Sequence, residues 1–195
     1  MSETKEVYAV YNNKTIRVYQ AYNVKIADEA VRLNKFGENF SLNRMTWIKP
    51  SFLWMMCRSN WGLKKDQERI LAIDMLREGF DEYLLKAVLT TDESIAFSSH
   101  NEWDKAFKNS EVYCQWDPDR DVWGKPIGRK AIQIGIRGEA VKNYIDKWIV
   151  KISDITPDVT KWRTQLKNGC LKKELLPKEK VYPVTPKIRE HLNMD

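Results

Sequence analysis

The chain has 195 residues, 43% of them hydrophobic and 31% charged, a composition that supports a folded core and excludes disorder as the main state. Its formal charge of +6 is uneven: residues 161–190 hold nine Lys and Arg against three Glu, so this segment carries the whole excess and the rest is neutral. No apolar run approaches the roughly 18 to 20 residues of a membrane span, and the opening Met1-Ser-Glu-Thr-Lys-Glu6 lacks a secretory pattern, so a cytoplasmic protein with no membrane partner is expected.

The chain is expected to open with a β-hairpin, residues 7–11 and 15–22 around the turn Asn12-Asn-Lys14. Helical spacing of apolar residues over 24–36 predicts a helix stopped by Gly37. Residues 45–48 read as a short strand, and Pro50 favours a helix over 51–59 that is apolar on nearly every side and so belongs inside. Residues 70–76 fit a buried strand or a helix, and periodicity alone leaves both open. Asp81 is placed to cap a helix to about residue 89, and Thr90-Thr-Asp-Glu93 to begin a loop.

Strands are expected over 111–116 and 130–137, antiparallel partners across a loop that begins at Asp117. An amphipathic helix with Val141, Tyr144, Ile145, Trp148, Ile149 and Ile152 on one face follows Gly138, and a last helix runs from Thr156 to about Lys167. The sum is an α+β fold: mostly antiparallel sheets with packed helices in a single compact domain over residues 1–168, followed by a basic, Pro-containing tail over 169–195.

The residue inventory removes much chemistry. Two histidines, His100 and His191, exclude a three-histidine metal site and argue against His-dependent triads, and His100 reads as part of a solvated loop. Three cysteines without a CxxC pair predict reduced thiols, not a disulfide framework. Asp117, Asp119 and Asp121 imitate the start of a calcium loop, but Val122 and Gly128 stand at its sixth and twelfth positions, and no metal site is expected. Neither a Walker loop nor GxGxxG occurs.

What remains is a set of polar side chains inside apolar segments. If the two hairpins share a sheet, Arg17, Gln115, Asp117 and Gln133 line one cleft, with Lys49 and Ser51 closing an end. Such a cleft suits an anionic, planar ligand: Arg17 and Lys49 neutralise phosphate, Trp47 or Trp116 stacks, Gln115 and Gln133 orient a base or ribose, and Asp117 or Glu68 acts as base or stabilises a developing cation. A rival class is a non-enzymatic RNA or DNA binder using Lys161, Arg163, Lys167, Lys172 and Lys173 with exposed tryptophans, and a third is a protein-interaction module with a Trp-lined groove.

The runs Arg44-Met-Thr-Trp-Ile-Lys-Pro-Ser-Phe-Leu-Trp-Met-Met56, Asp66-Gln-Glu-Arg-Ile-Leu-Ala-Ile73, Gln115-Trp-Asp-Pro-Asp-Arg-Asp121 and Ile132-Gln-Ile-Gly-Ile-Arg-Gly138 resemble those of domain of unknown function 4291, an uncharacterised family in bacteria and eukaryotes. That resemblance covers nearly the whole chain and implies no activity. A weaker resemblance, in size, element order and an early strand bearing Arg, is to ADP-ribosyltransferases. It implies NAD as cofactor, with Arg17 gripping the pyrophosphate, Ser51 loosely matching the ribose hydroxyl contact, and Glu68 or Asp117 directing the acceptor. The chain departs from that superfamily in having neither a Ser-Thr-Ser strand nor a Glu-x-Glu or Gln-x-Glu pair.

Overall fold

Thr15 to Tyr22 is rich in β-branched and aromatic residues, and it forms the first long strand. In the computed structural model, which describes residues 3–92 and 97–194, this strand is β3 (Thr15–Tyr22), preceded by the short β1 (Thr4–Lys5) and β2 (Tyr8–Ala9). Asn12 builds the turn ahead of β3, its side-chain oxygen accepting the backbone N–H groups of Lys14 and Thr15 at 2.8 Å each. The expected hairpin therefore exists at its turn, but β2 draws its ladder from the far end of the chain, β10 (Lys180–Val181).

Helix α1 (Val24–Leu33) is capped by Asn23, which accepts from Ile26 N–H, and it ends at Asn34 in the left-handed region (φ 51°), ahead of the Gly37 expected as its stop. Strand β4 (Thr46–Ile48) leads through Lys49 and Pro50 into α2 (Phe52–Ser59), close to the expected bounds. The ambiguous segment is a strand, β5 (Arg69–Leu76), held antiparallel between β3 and β9 (Ile149–Asp154). Helix α3 (Arg77–Lys86) begins before Asp81, which is no cap; its carboxylate instead accepts the Tyr182 hydroxyl at 2.8 Å. After β6 (Val88–Leu89), the loop from Thr90 is described as far as Asp92, and Glu93 lies outside the described residues. His100, expected in a loop, is the first residue of α4 (His100–Asn109), whose cap is Ser99.

Strands β7 (Val112–Arg120) and β8 (Pro126–Ile136) pair antiparallel as expected, but β7 runs on through Asp117–Arg120, where a loop was expected. The long helix expected after Gly138 is broken into α5 (Glu139–Asn143), a wide π turn (Tyr144–Trp148) and β9. The free edge of β5 takes the β-branched residues from Ile149 onward, and the π turn swings the Trp148 indole beneath α3, where a Cβ at Gly79 would come within 2.3 Å of the ring. Helix α6 (Thr156–Lys167) matches its expected bounds. The segment 169–195 is not a separate tail: after a 3-10 turn (Lys173–Leu175) and β10 comes α7 (Pro186–His191), and Tyr182, Ile188 and Leu192 are fully buried in the main core.

One sheet runs β3-β5-β9 and a second runs β1-β8-β7-β6 with β4 also on β8; the pairings are antiparallel except β1 with β8 and β6 with β7. Together they make one α+β domain. The two sheets meet where Tyr19 N–H donates to Lys49 C=O at 2.7 Å. Ile16 and Val18 on one face of β3 pack into the main core, whereas Tyr19 and Ala21 on the other join a second cluster with α2 and α6. No helix among the described residues is long and apolar enough to cross a membrane.

Candidate functional site

At the seam between the sheets lies an open cleft of about 990 Å³, walled by the end of β3, the 39–47 segment, α2 and the 66–67 turn, with β7 and β8 as floor. Its position follows from register. β4 lies along β8 with Trp47 opposite Gly135, and β7 lies along the other side of β8 with Gln115 opposite Gln133, so continuing one step past β4 brings Lys49 level with Gln133. Gly135 matters here because a Cβ would come within 3.0 Å of the Trp47 ring and the Met45 sulfur; a bare backbone lets the indole lie over the floor.

Asp117 is the focus of the floor. Gln133 Nε2 donates to its Oδ2 at 2.7 Å and Gln115 Nε2 to its Oδ1 at 2.9 Å, so two amides hold both oxygens of one carboxylate. Gln20 ties β3 to β4 and to the π turn: its Nε2 donates to Trp47 C=O at 3.3 Å and to the Tyr22 hydroxyl, and its Oε1 accepts from the Tyr144 hydroxyl at 3.0 Å. Arg44 and Arg58 add cationic charge, and Tyr22, Trp47 and Trp54 add ring faces. Gln67 Oε1 is buried without a hydrogen-bond partner among the described residues and belongs to the same lining, a polar atom that a ligand or solvent would satisfy.

Lys49 is only 6% exposed and lines the cleft. Its Nζ donates weakly to the Trp47 carbonyl at 3.4 Å and lies 5.7 Å from the centre of the Trp54 ring. Burial, reinforced by the charge of Arg58 and opposed by that of Asp117, lowers its pKa from 10.5 to about 7. The amine is therefore neutral in a large share of molecules at physiological pH.

Of the residues singled out from sequence, Trp47, Lys49, Gln115, Asp117 and Gln133 meet in this cleft. Arg17 is elsewhere: it lies on the face of β3 opposite Gln20 and makes a bidentate pair with Asp74 across to β5, at 2.8 and 2.9 Å. Trp116 points to the core side of β7, where its indole donates to Leu192 C=O at 3.2 Å. Ser51 caps α2 and donates to Asp119 Oδ1, and Glu68 accepts the Asp66 backbone N–H; neither lines the cleft. Lys161, Lys167, Lys172 and Lys173 are exposed, Arg163 donates to Trp61 C=O, and none of the five belongs to the cleft.

Sequence reasoning passed over Gln20, Arg44, Trp54, Arg58 and Gln67 as site residues. A signal existed for one pair, since Trp54 and Arg58 are spaced i, i+4 and so share a face of α2. Among the described residues no group of three or more His, Cys, Asp or Glu is arranged to hold a metal ion.

These features define a class: an α+β domain with a polar and aromatic cleft at the junction of two sheets, where Arg44 and Arg58 face Asp66 and Asp117. The chain belongs to the family described as a domain of unknown function, DUF4291, whose profile matches residues 6–182. No curated protein matches it.

Proposed function

We propose that the cleft binds a nucleotide and that the protein is a nucleotide-directed transferase, with NAD as the first candidate for its cosubstrate. The observation that carries this reading is the gathering of two arginines, two indoles and an amide-clamped carboxylate around one 990 Å³ space, a size suited to such a ligand. Arg44 and Arg58 take the phosphate role that sequence reasoning gave to Arg17, and Trp47 or Trp54 stacks on the base. The carboxylate of Asp117, held rigid from both sides, stabilises positive charge developing on the ribose as its bond to nicotinamide breaks. Glu68 has no part in this scheme. The unpaired, exposed thiols of Cys57 and Cys170 suit a reducing compartment such as the cytoplasm.

Thermal melting with NAD, ATP and inorganic phosphate tests the reading. A rise in Tm with millimolar NAD that is lost in Arg58→Ala but kept in Arg17→Ala is expected. Unchanged melting of folded protein with every nucleotide removes it. The exposed Lys161, Lys167, Lys172 and Lys173 favour a second, independent reading, backbone contact with RNA or DNA; its affinity falls steeply with salt and survives Asp117→Asn.

A further inference from the structure

We infer that Lys49 is a nucleophile whose ε-amino group condenses with the carbonyl group of an anionic ligand in the cleft to form an imine. This deepens the reading of the cleft as a ligand site but does not require the ligand to be NAD.

The argument starts from placement. A side chain that is 6% exposed normally brings its charge to a partner, yet Lys49 makes no ion pair among the described residues, and its one hydrogen bond, to Trp47 C=O, is long at 3.4 Å. A lysine stem serving only to fill space would be replaced without loss by Met. The amine is nevertheless held at the ligand's doorstep, beneath the Trp54 ring and on the same wall as Arg58. The charged groups that line this cleft with it are Arg44, Arg58, Asp66 and Asp117, and the neighbouring cation with burial keeps the amine near neutrality. Such desolvation beside a second cation is how a lysine becomes nucleophilic near pH 7.

The chemistry balances within the cleft. The Nζ lone pair attacks the carbonyl carbon, and the carbonyl oxygen takes up a proton released by the nitrogen, giving a carbinolamine. Loss of the hydroxyl with the second nitrogen proton yields water and the imine. Asp117, whose charge already acts on Lys49, is the group to carry the proton from nitrogen to oxygen. Arg44 and Arg58 select a carbonyl compound that also bears phosphate or carboxylate.

The test uses the full chain and pyridoxal 5′-phosphate as probe, with borohydride reduction and peptide mapping by mass spectrometry. Lys49 is expected to be labelled at least tenfold faster than any exposed lysine at pH 7, with a rate that halves near pH 7 and falls tenfold per unit below it. Labelling spread over exposed lysines with Lys49 spared overturns the inference. Lys49→Arg, with its melting curve as a check on folding, is expected to abolish the fast phase; a fast phase that persists in folded Lys49→Arg also overturns it. The two readings separate cleanly. Fast labelling of Lys49 without stabilisation by any nucleotide sustains the nucleophile and removes the nucleotide, whereas stabilisation by NAD with Lys49 unlabelled does the reverse.

Discussion

Two ionisable side chains, Lys49 buried and Glu179 partly buried, give the protein opposite responses to pH. Lys49 has its pKa lowered to about 7, so between about 7 and 10.5 the unfolded chain binds a proton that the folded one does not, and stability rises with pH across that window. Lys49→Met removes this slope, on the order of 1 kcal/mol per pH unit, and is expected to raise Tm at pH 7 while abolishing probe labelling. Glu179 accepts the Phe52 N–H at the start of α2, and burial, aided by Asp119, raises its pKa from 4.5 to about 8. Here the folded state holds the extra proton, so its contribution is complete below about pH 4.5 and is lost as pH rises through 8. Glu179→Gln is expected to flatten that loss, read as a smaller fall in Tm between pH 5 and 8. At this scale the sequence was partly legible: Lys49 was read as a cation closing one end of a cleft, but its lowered pKa comes from burial and from Arg58 on α2, which only the fold brings together.

Although Asp81 is no cap, and the caps Asn23 and Ser51 of α1 and α2 were not read, several elements set by local chemistry formed as expected: Pro50 leads into α2, Thr156 and Pro157 open α6, and β7 pairs with β8. Elements that depend on a distant partner did not. The apolar face from Val141 to Ile152 has helical spacing, yet its second half is claimed by the open edge of β5, and no local signal marks that competition. The basic C-terminal segment looked like a solvated tail because its charges are local while the sites for Tyr182, Ile188 and Leu192 are built by α3, β7 and β2. Deleting residues 183–195 removes two fully buried aliphatic side chains, Ile188 and Leu192, about 1.5–3 kcal/mol each, and uncovers the Trp116 indole. Against a typical stability of about 5–15 kcal/mol the truncated chain is expected to melt far below the full one or to aggregate, as differential scanning calorimetry would show.

Across the whole molecule, the cleft rests on the seam between the sheets. The three-stranded sheet brings Gln20 and Tyr22, the larger sheet brings Trp47, Gln115, Asp117 and Gln133, and Lys49 stands where they are stitched by the hydrogen bond to Tyr19. The same geometry explains why Arg17 and Trp116 are absent from the site. Trp116 lies one residue from Gln115 and from Asp117, so alternation turns it to the other face, whereas Arg17 shares a face of β3 with the cleft-lining Ala21 but lies four residues away along the strand, held by Asp74.

By itself the sequence determined the α+β class, the pairing of β7 with β8, the extents of α2 and α6 and membership of the family, because turns, proline positions, periodicity and long specific motifs are written in neighbouring residues. Only the tertiary structure decided which arginines face the cleft, that the C-terminal segment is core, and that Lys49 is buried beside Arg58. Those outcomes depend on strand register and on contacts between segments far apart in the chain, and a one-residue change of register would reverse each face.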